Sequence, residues 1–270
     1  MDFDREYFKD KTAVITGGAG GIGLALAEEL LESNAAKVVI ADINEERLAA
    51  AEASLKEQYG DRAKGIICNV TREDQVQSLI AESAAYFDGS FDLLFNNAGA
   101  GFPGWFVELD NDEWDIAFAL NFYSALYGIR AVLPLMLEQG SGQIVNIISG
   151  IAILPVAWQT RYAATKSALN GLTLSLRAEH WDDNIKFNSA TPGTTATNIF
   201  EEDEAPEDAQ TPHQAASAIL NGVAHNTRII YGDAGDESAG AMAFSPYAQE
   251  IYDEYQIPVT RARRSGKIAF

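Results

Sequence analysis

Tyr162-x-x-x-Lys166 puts a phenol and an ammonium one helical turn apart on the same face, downstream of Ser149. A phenol donates a proton when neutral and accepts one when ionised. A nearby cation favours the ionised form. A serine hydroxyl can hold an oxygen whose charge changes during a reaction. These groups suit proton exchange with an alcohol or carbonyl oxygen. The spacing alone decides nothing, because Tyr7-x-x-x-Lys11 repeats it ahead of the first apolar run, where no site can form. Tyrosine and lysine on one helical face are usually ordinary amphipathic residues, and a lone serine often caps a turn. The order of features along the chain carries the information.

Apolar runs alternate with helical spacing through most of the sequence. Strands are expected at Ala13 to Thr16, Val38 to Asp42, Gly65 to Val70, Phe91 to Phe95, Gln143 to Ile148, Ile185 to Ala190 and Arg228 to Tyr231. Helices are expected from Gly21 to Ser33, after a cap at Asn44, after a cap at Thr71, and from about Arg161 to His180. Continuous apolar strands separated by helices predict an α/β fold, a doubly wound parallel sheet of about seven strands with helices on both faces. Ligands in such sheets bind beyond the carboxyl ends of the strands. Gly17, Asp42, Asn69, Asn97, Ser149 and Pro192 all fall just past an expected strand, so they gather on one edge.

The turn Thr16-Gly17-Gly18-Ala19-Gly20-Gly21-Ile22-Gly23 lies between the first strand and the first helix. Its glycines let backbone N–H groups approach a pyrophosphate, and the helix N-terminus adds positive potential. It fits Thr-Gly-x-x-x-Gly-x-Gly, and Gly17, Gly20 and Gly23 fit Gly-x-x-Gly-x-x-Gly equally. Asp42 closes the second strand, where an acid can accept hydrogen bonds from an adenosine ribose and repel a 2′-phosphate. Ile43 follows, and the glycine turn holds no arginine or lysine. Both absences favour NAD over NADP.

The chain reads as one domain over residues 1–270. It is 47% hydrophobic with 10% aromatics, as a globular protein is. The net charge is −20, from 39 acidic and 19 basic residues. Such a surface repels nucleic acid and anionic membranes. It suits a soluble acidic enzyme or, alternatively, adaptation to high salt. The apolar runs are far short of a bilayer span, and no signal-peptide pattern is seen. The lone Cys68 excludes an internal disulfide and fits the cytoplasm. His180, His213 and His225 lie far apart without metal-ligand spacing, so no metal is expected. Residues 194–211 contain the acidic run from Glu201 to Asp208, read as a solvated loop or as a substrate lid. The tail, 233–270, is expected to be irregular and to serve packing or subunit contact.

In order and spacing, Thr16-Gly17-x-x-x-Gly21-x-Gly23, Asn96-Asn97-Ala98-Gly99, Ser149, Tyr162-x-x-x-Lys166 and Pro192-Gly193 resemble the compact members of the short-chain dehydrogenase/reductase family. The resemblance covers roughly residues 10 to 232. It implies a Rossmann-type sheet and hydride exchange between NAD(H) or NADP(H) and an alcohol or carbonyl. It implies Asn121, Ser149, Tyr162 and Lys166 as catalytic residues, Asn121 positioning a water that links Lys166 to solvent. It implies cofactor contacts at Gly17, Gly21, Ile22, Gly23, Asp42, Asn69, Val70, Asn97, Gly99, Tyr162, Lys166, Pro192, Gly193, Thr195 and Thr197. A homodimer or homotetramer joined through the Tyr162–Lys166 helix is also implied. Asn69 replaces a common aspartate and is expected to reach adenine through its carbonyl oxygen. Thr195 replaces a common small aliphatic residue.

For this chemistry the phenol must act near neutral pH. A free tyrosine has a pKa of ~10, and lowering it by about three units takes roughly 4 kcal/mol. Lys166 and an oxidised nicotinamide together are expected to supply that. Apolar Phe102, Trp105, Ile151, Ile153, Trp158 and Phe200 are expected to bound the substrate pocket, which favours a hydrophobic secondary alcohol or ketone. The alternatives are an NADP-linked carbonyl reductase and a non-catalytic nucleotide sensor of the same fold.

Overall fold

Thr12–Thr16 forms β1, with all five residues buried. Its side chains alternate between two cores, Ala13 and Ile15 on one face and Val14 on the other. A strand covered on both faces has no use for polar alternation, hence the continuous apolar run. The computed structural model describes residues 3–197, 205–243 and 245–266. Within them the chain continues as α1 (Gly21–Glu32), β2 (Lys37–Asp42), α2 (Glu45–Tyr59), β3 (Ala63–Ile67), α3 (Glu73–Tyr86) and β4 (Leu93–Asn96). Then come α4 (Asn111–Phe118), α5 (Ser124–Gln139), β5 (Gly142–Ile147), α6 (Thr160–Glu179) and β6 (Ile185–Thr191). The last elements are α7 (Pro212–Ala224), β7 (Ile229–Tyr231), α8 (Ala234–Met242) and α9 (Gln249–Arg264).

The described strands form one sheet in the order β3-β2-β1-β4-β5-β6-β7. Every pairing is parallel. This is the doubly wound arrangement expected from the sequence. Helices α1, α2 and α7 bury one face through Leu26, Leu30, Leu48, Leu55 and Ile219. Helices α3 and α5 bury the other through Val76, Leu79, Ile129 and Val132. Each such side chain stabilises the fold by about 1.5–3 kcal/mol relative to exposure. Strand order reverses between β1 and β4, which opens a crevice at their carboxyl ends.

Local chemistry sets the element ends. The Asn44 side chain accepts the Arg47 amide at 2.9 Å and caps α2, as expected. Thr71 does not cap α3. Its amide and hydroxyl both donate to Asn69 Oδ1, at 3.0 and 2.7 Å, and Arg72 stands at the cap position without a side-chain capping bond. The tail departs from its expected irregular form. Asp233 starts α8 by accepting the Asp236 amide at 2.7 Å, and α9 runs through Pro258.

A five-residue π turn, Ala119–Tyr123, joins α4 to α5, and the Ser124 amide reaches back to the Ala119 carbonyl. Residues 111–139 thereby become one helical run, long and apolar enough by length and composition to cross a membrane. No single apolar stretch of the sequence had suggested such a run. In this fold its α5 portion packs on β4 and β5.

Candidate active site

The glycine turn lies over the carboxyl end of β1. Gly17 has φ 64°, and α1 starts pressed against it. A Cβ on Gly23 would stand 2.2 Å from the Gly17 carbonyl oxygen and 2.7 Å from Asn97 Nδ2, so only glycine fits. Asn97 braces the turn. Its Nδ2 donates to the Thr16 and Gly17 carbonyls at 2.9 and 3.2 Å, and its amide donates to Thr16 Oγ1. Asp42 closes the other side, accepting the Ala19 amide at 3.3 Å and the Asn44 amide at 3.0 Å. Exposed Ile43 follows it. Backbone groups, a helix N-terminus and a carboxylate thus surround a space that suits a dinucleotide.

The π turn presents Asn121, 1% exposed, toward α6. Its Oδ1 accepts the Ala100 amide at 3.1 Å. Its Nδ2 donates to the Ala100 carbonyl at 3.0 Å and to Thr165 Oγ1 at 3.3 Å. Lys166 Nζ donates to the Ile147 carbonyl at 2.9 Å. A Cβ on Gly99 would lie 2.9 Å from Asn121 Oδ1 and 3.1 Å from Lys166 Nζ, so three expected site residues meet at one point. Burial pulls the Lys166 ammonium down to about 8.

Tyr162, 7% exposed, shares a cavity of about 680 Å³ with Ser149, Ile22, Pro192, Gly193 and Thr195. Ser149 Oγ accepts the Ile151 amide at 3.3 Å, which caps the short turn Gly150–Ala152. Burial pushes the Tyr162 phenol above its ordinary value; a hydrogen bond with Ser149 opposes the shift and Asp236 adds to it. Lys166 is not among the causes of this shift. The ammonium lies 6.0 Å from the ring centroid and is turned toward the Ile147 carbonyl. Desolvation favours the neutral phenol, a proton donor.

The short chain dehydrogenase profile matches residues 11–208. The chain belongs to the short-chain dehydrogenase/reductase family. It is an oxidoreductase with the Rossmann-type fold of that family. It is 36% identical over 190 residues to an uncharacterised oxidoreductase of Staphylococcus aureus strain MW2, covering 70% of this chain and 80% of that protein. Identity is also 36% over 193 residues to 3beta-hydroxysteroid dehydrogenase 2 of Eggerthella lenta, covering 70% and 72%. Among solved structures, a short chain dehydrogenase/reductase from Burkholderia phymatum in complex with NAD superposes with a TM-score of 0.81. It is 26% identical, over 91% of this chain and 96% of that one. Levodione reductase superposes with a TM-score of 0.78 at 27% identity, over 86% and 99%.

Several residues of this dehydrogenase/reductase lie otherwise than the sequence suggested. Both donors of Thr71 bond Asn69 Oδ1, the oxygen expected to reach adenine. Thr195, 5% exposed, turns its hydroxyl inward to the Pro192 and Gly193 carbonyls. Val70 is buried beneath the β3 edge, and Thr197 borders the cavity.

Of the expected substrate residues, Ile151 borders the cavity. Ile153 is 6% exposed and does not border it. Phe102 and Trp158 do not border it, because they organise the neighbouring loop. The Phe102 and Pro103 carbonyls accept from Arg161, and the Trp158 carbonyl accepts the Gly104 amide at 2.7 Å. Arg161 is fixed there by a 3.0 Å ion pair with Glu113. Trp105 lies under the Arg264 guanidinium in a separate recess. Phe200 lies outside the described residues. The wall comes instead from Leu154, Val156 and the tail, with Asp236, Met242 and Ile251. The cap residue Asp233 was the one signal that could have revealed this tail contribution.

The ends of the 194–211 segment are zipped together: Gln210 N donates to the Thr194 carbonyl and Ala196 N to the Gln210 carbonyl, both at 2.9 Å. Pro206 borders the cavity. Residues 201–204, half of the acidic run, lie outside the described residues.

Proposed function

We propose that this chain is an NAD-dependent short-chain alcohol dehydrogenase or ketone reductase acting on a hydrophobic secondary alcohol or ketone. The observation that carries the reading is the convergence of Tyr162 and Ser149 on one cavity, with Lys166, Asn121 and Gly99 meeting behind it. The glycine turn, Asp42, Gly99, Pro192 and Gly193 would hold the dinucleotide, and the fit at Gly23 supports this. When bound, the nicotinamide supplies or removes the hydride.

The side chains then manage the proton. In reduction, neutral Tyr162 donates to the carbonyl oxygen, and Ser149 donates a hydrogen bond to the same oxygen as charge develops there. In oxidation the phenolate must form, so Lys166 has to leave its present hold on the Ile147 carbonyl or act with the charge of the bound cofactor. Asn121 binds the Ala100 backbone on the Lys166 side and would position a relay water. NAD preference is supported by Asp42, exposed Ile43 and the absence of a cation within the glycine turn. A hydrophobic substrate is supported by Ile151, Leu154, Val156 and Met242. The chain would work as a homodimer or homotetramer, which sedimentation can test.

NADH oxidation with a panel of ketones, followed by absorbance, tests the reading. Tyr162→Phe should lower turnover by about 10²–10⁴-fold while NADH still binds. Substantial turnover without the phenol would remove Tyr162 from the proton transfer. NADH binding without reduction of any ketone would favour a sensor, and tighter binding of NADPH would favour the NADP-linked alternative.

A further inference from the structure

Asp236 stands in the first turn of α8 and borders the same cavity as Ser149 and Tyr162. Its placement is fixed from two sides. Asp233 accepts the Asp236 amide through Oδ1 at 2.7 Å and the Thr194 amide through Oδ2 at 3.1 Å, which ties α8 to the segment after β6. The Asp236 carboxyl reaches to the residue next to Ser149: a Cβ on Gly150 would lie 1.9 Å from Asp236 Oδ1. Glycine at 150 is what lets the carboxyl stand there.

Asp236 Oδ2 is shut off from solvent and has no hydrogen-bond partner among the described residues. Burial raises the carboxyl above the usual carboxylate range; hydrogen bonds from the Thr191 hydroxyl and the Gly193 amide oppose the shift, and Asp233 adds to it. The nearby wall is apolar, formed by Ile151, Leu154, Val156 and Met242. A carboxyl so placed costs stability unless something donates to it. It makes no cap and no ion pair among the described residues, and the bonds from Thr191 and Gly193 leave Oδ2 unpartnered, so a purely structural role does not account for that oxygen.

We propose that Asp236 is a specificity-determining residue that accepts a hydrogen bond from a second donor on the substrate, so that a secondary alcohol bearing another hydroxyl or an ammonium group is preferred over its plain hydrocarbon counterpart. This rests on the dehydrogenase reading and narrows its substrate class. The shared chemistry is a hydrogen-bond donor beside the reacting carbon, held opposite an acceptor that the apolar wall cannot otherwise satisfy.

The test is NAD-linked oxidation of cyclohexanol, 2-methylcyclohexanol as a size control, the 1,2-, 1,3- and 1,4-cyclohexanediols, and the matching aminocyclohexanols. At least one donor-bearing isomer should exceed cyclohexanol in kcat/KM by about tenfold or more, the discrimination expected of one hydrogen bond to a charged acceptor. Most of that advantage should appear in KM. Asp236→Asn keeps an acceptor oxygen without the charge, and Asp236→Leu and Asp236→Ala keep neither. If the donor is a hydroxyl, the advantage survives in part in Asp236→Asn and vanishes in the other two. If it is an ammonium, it vanishes in all three. NADH titration verifies that each variant still binds cofactor. Oxidation of cyclohexanol with no preference for any donor-bearing isomer, or an advantage unchanged in Asp236→Leu and Asp236→Ala, overturns the assignment of Asp236 alone. Failure to oxidise any alcohol of the panel overturns the dehydrogenase reading beneath it.

Discussion

The glycine cradle and the cavity wall are built in opposite ways. In the cradle the contacts are backbone to backbone or amide to backbone, as between Asn97 and the Thr16 and Gly17 carbonyls. Its parts come from the ends of β1, β2 and β4, joined by sheet pairing. The wall is made of side chains, Leu154, Val156, Met242 and Ile251, drawn from a loop and from two tail helices. A backbone cradle needs only a few glycines and one acid to be specified. A side-chain wall needs the shape of every contributor. Cofactor class is therefore encoded locally in this chain, whereas substrate class is distributed across it.

Damage to the cradle should be severe and confined to cofactor binding. Gly23→Ala would drive a methyl into the Gly17 carbonyl at 2.2 Å. Overpacking of this kind costs about 1–3 kcal/mol, so NADH affinity measured by fluorescence should fall about tenfold to a hundredfold. Unchanged affinity would show that the turn is softer than backbone-to-backbone contact implies.

Lys166 lies at the seam between the two regions and offers a test through pH. Burial brings its pKa from 10.5 to about 8 in the folded chain. The unfolded chain then keeps a proton that the folded chain has lost between those values. Stability is lowest below about 8, where both forms are charged, and should rise as pH climbs toward 10.5. Tyr162, whose folded value is raised, works in the opposite direction above its ordinary 10, and Cys68, which burial raises from 9.0 to about 11, does so above 9, so the clean window is pH 8 to 9. Urea unfolding midpoints should rise across that window, by up to about 1.4 kcal/mol per pH unit, and Lys166→Met should flatten the rise. The same slope in the variant would assign it to another group.

Two milder substitutions sharpen the contrast. Asp42→Ala should shift the NADPH-to-NADH affinity ratio toward NADPH by about tenfold, since it removes the carboxylate that would repel a 2′-phosphate. An unmoved ratio would take Asp42 out of cofactor choice. Met242→Ala, in the wall, should raise KM for a bulky ketone by a few-fold through lost apolar contact, with NADH affinity intact. A matching loss of NADH affinity would mean that the wall and the cradle are not separable.

The sequence made the cradle legible for the same reason that a few glycines suffice to build it. Strands β1 and β2 are buried on both faces and carry unbroken apolar runs from Ala13 to Ile15 and from Val38 to Ala41. Asn44 announced its helix because a cap is a one-residue signal. The wall was less visible. Gly235, Gly240 and Pro258 look like helix breakers, yet they sit inside α8 and α9. Phe102 and Trp158 have the bulk of a pocket lining, but their backbones are committed to holding the Gly104 and Arg161 neighbourhood. The π turn under Asn121 leaves no periodic trace, since a single five-residue turn shifts the helical phase only once. Asp236 was hidden because its significance lies in what fails to pair with it.

The reversal of strand order between β1 and β4 also has a bearing on biosynthesis. Synthesis runs from the N-terminus, and the glycine turn, Asp42 and Gly99 are made by residue 99, whereas Pro192, Gly193 and the wall through Met242 and Ile251 come later. A nascent chain can therefore assemble the first part of the proposed dinucleotide seat while the far side of the cavity is still being translated. Early ligand capture would then act as a clamp on the half-made sheet, and cellular dinucleotide supply would influence the yield of folded protein.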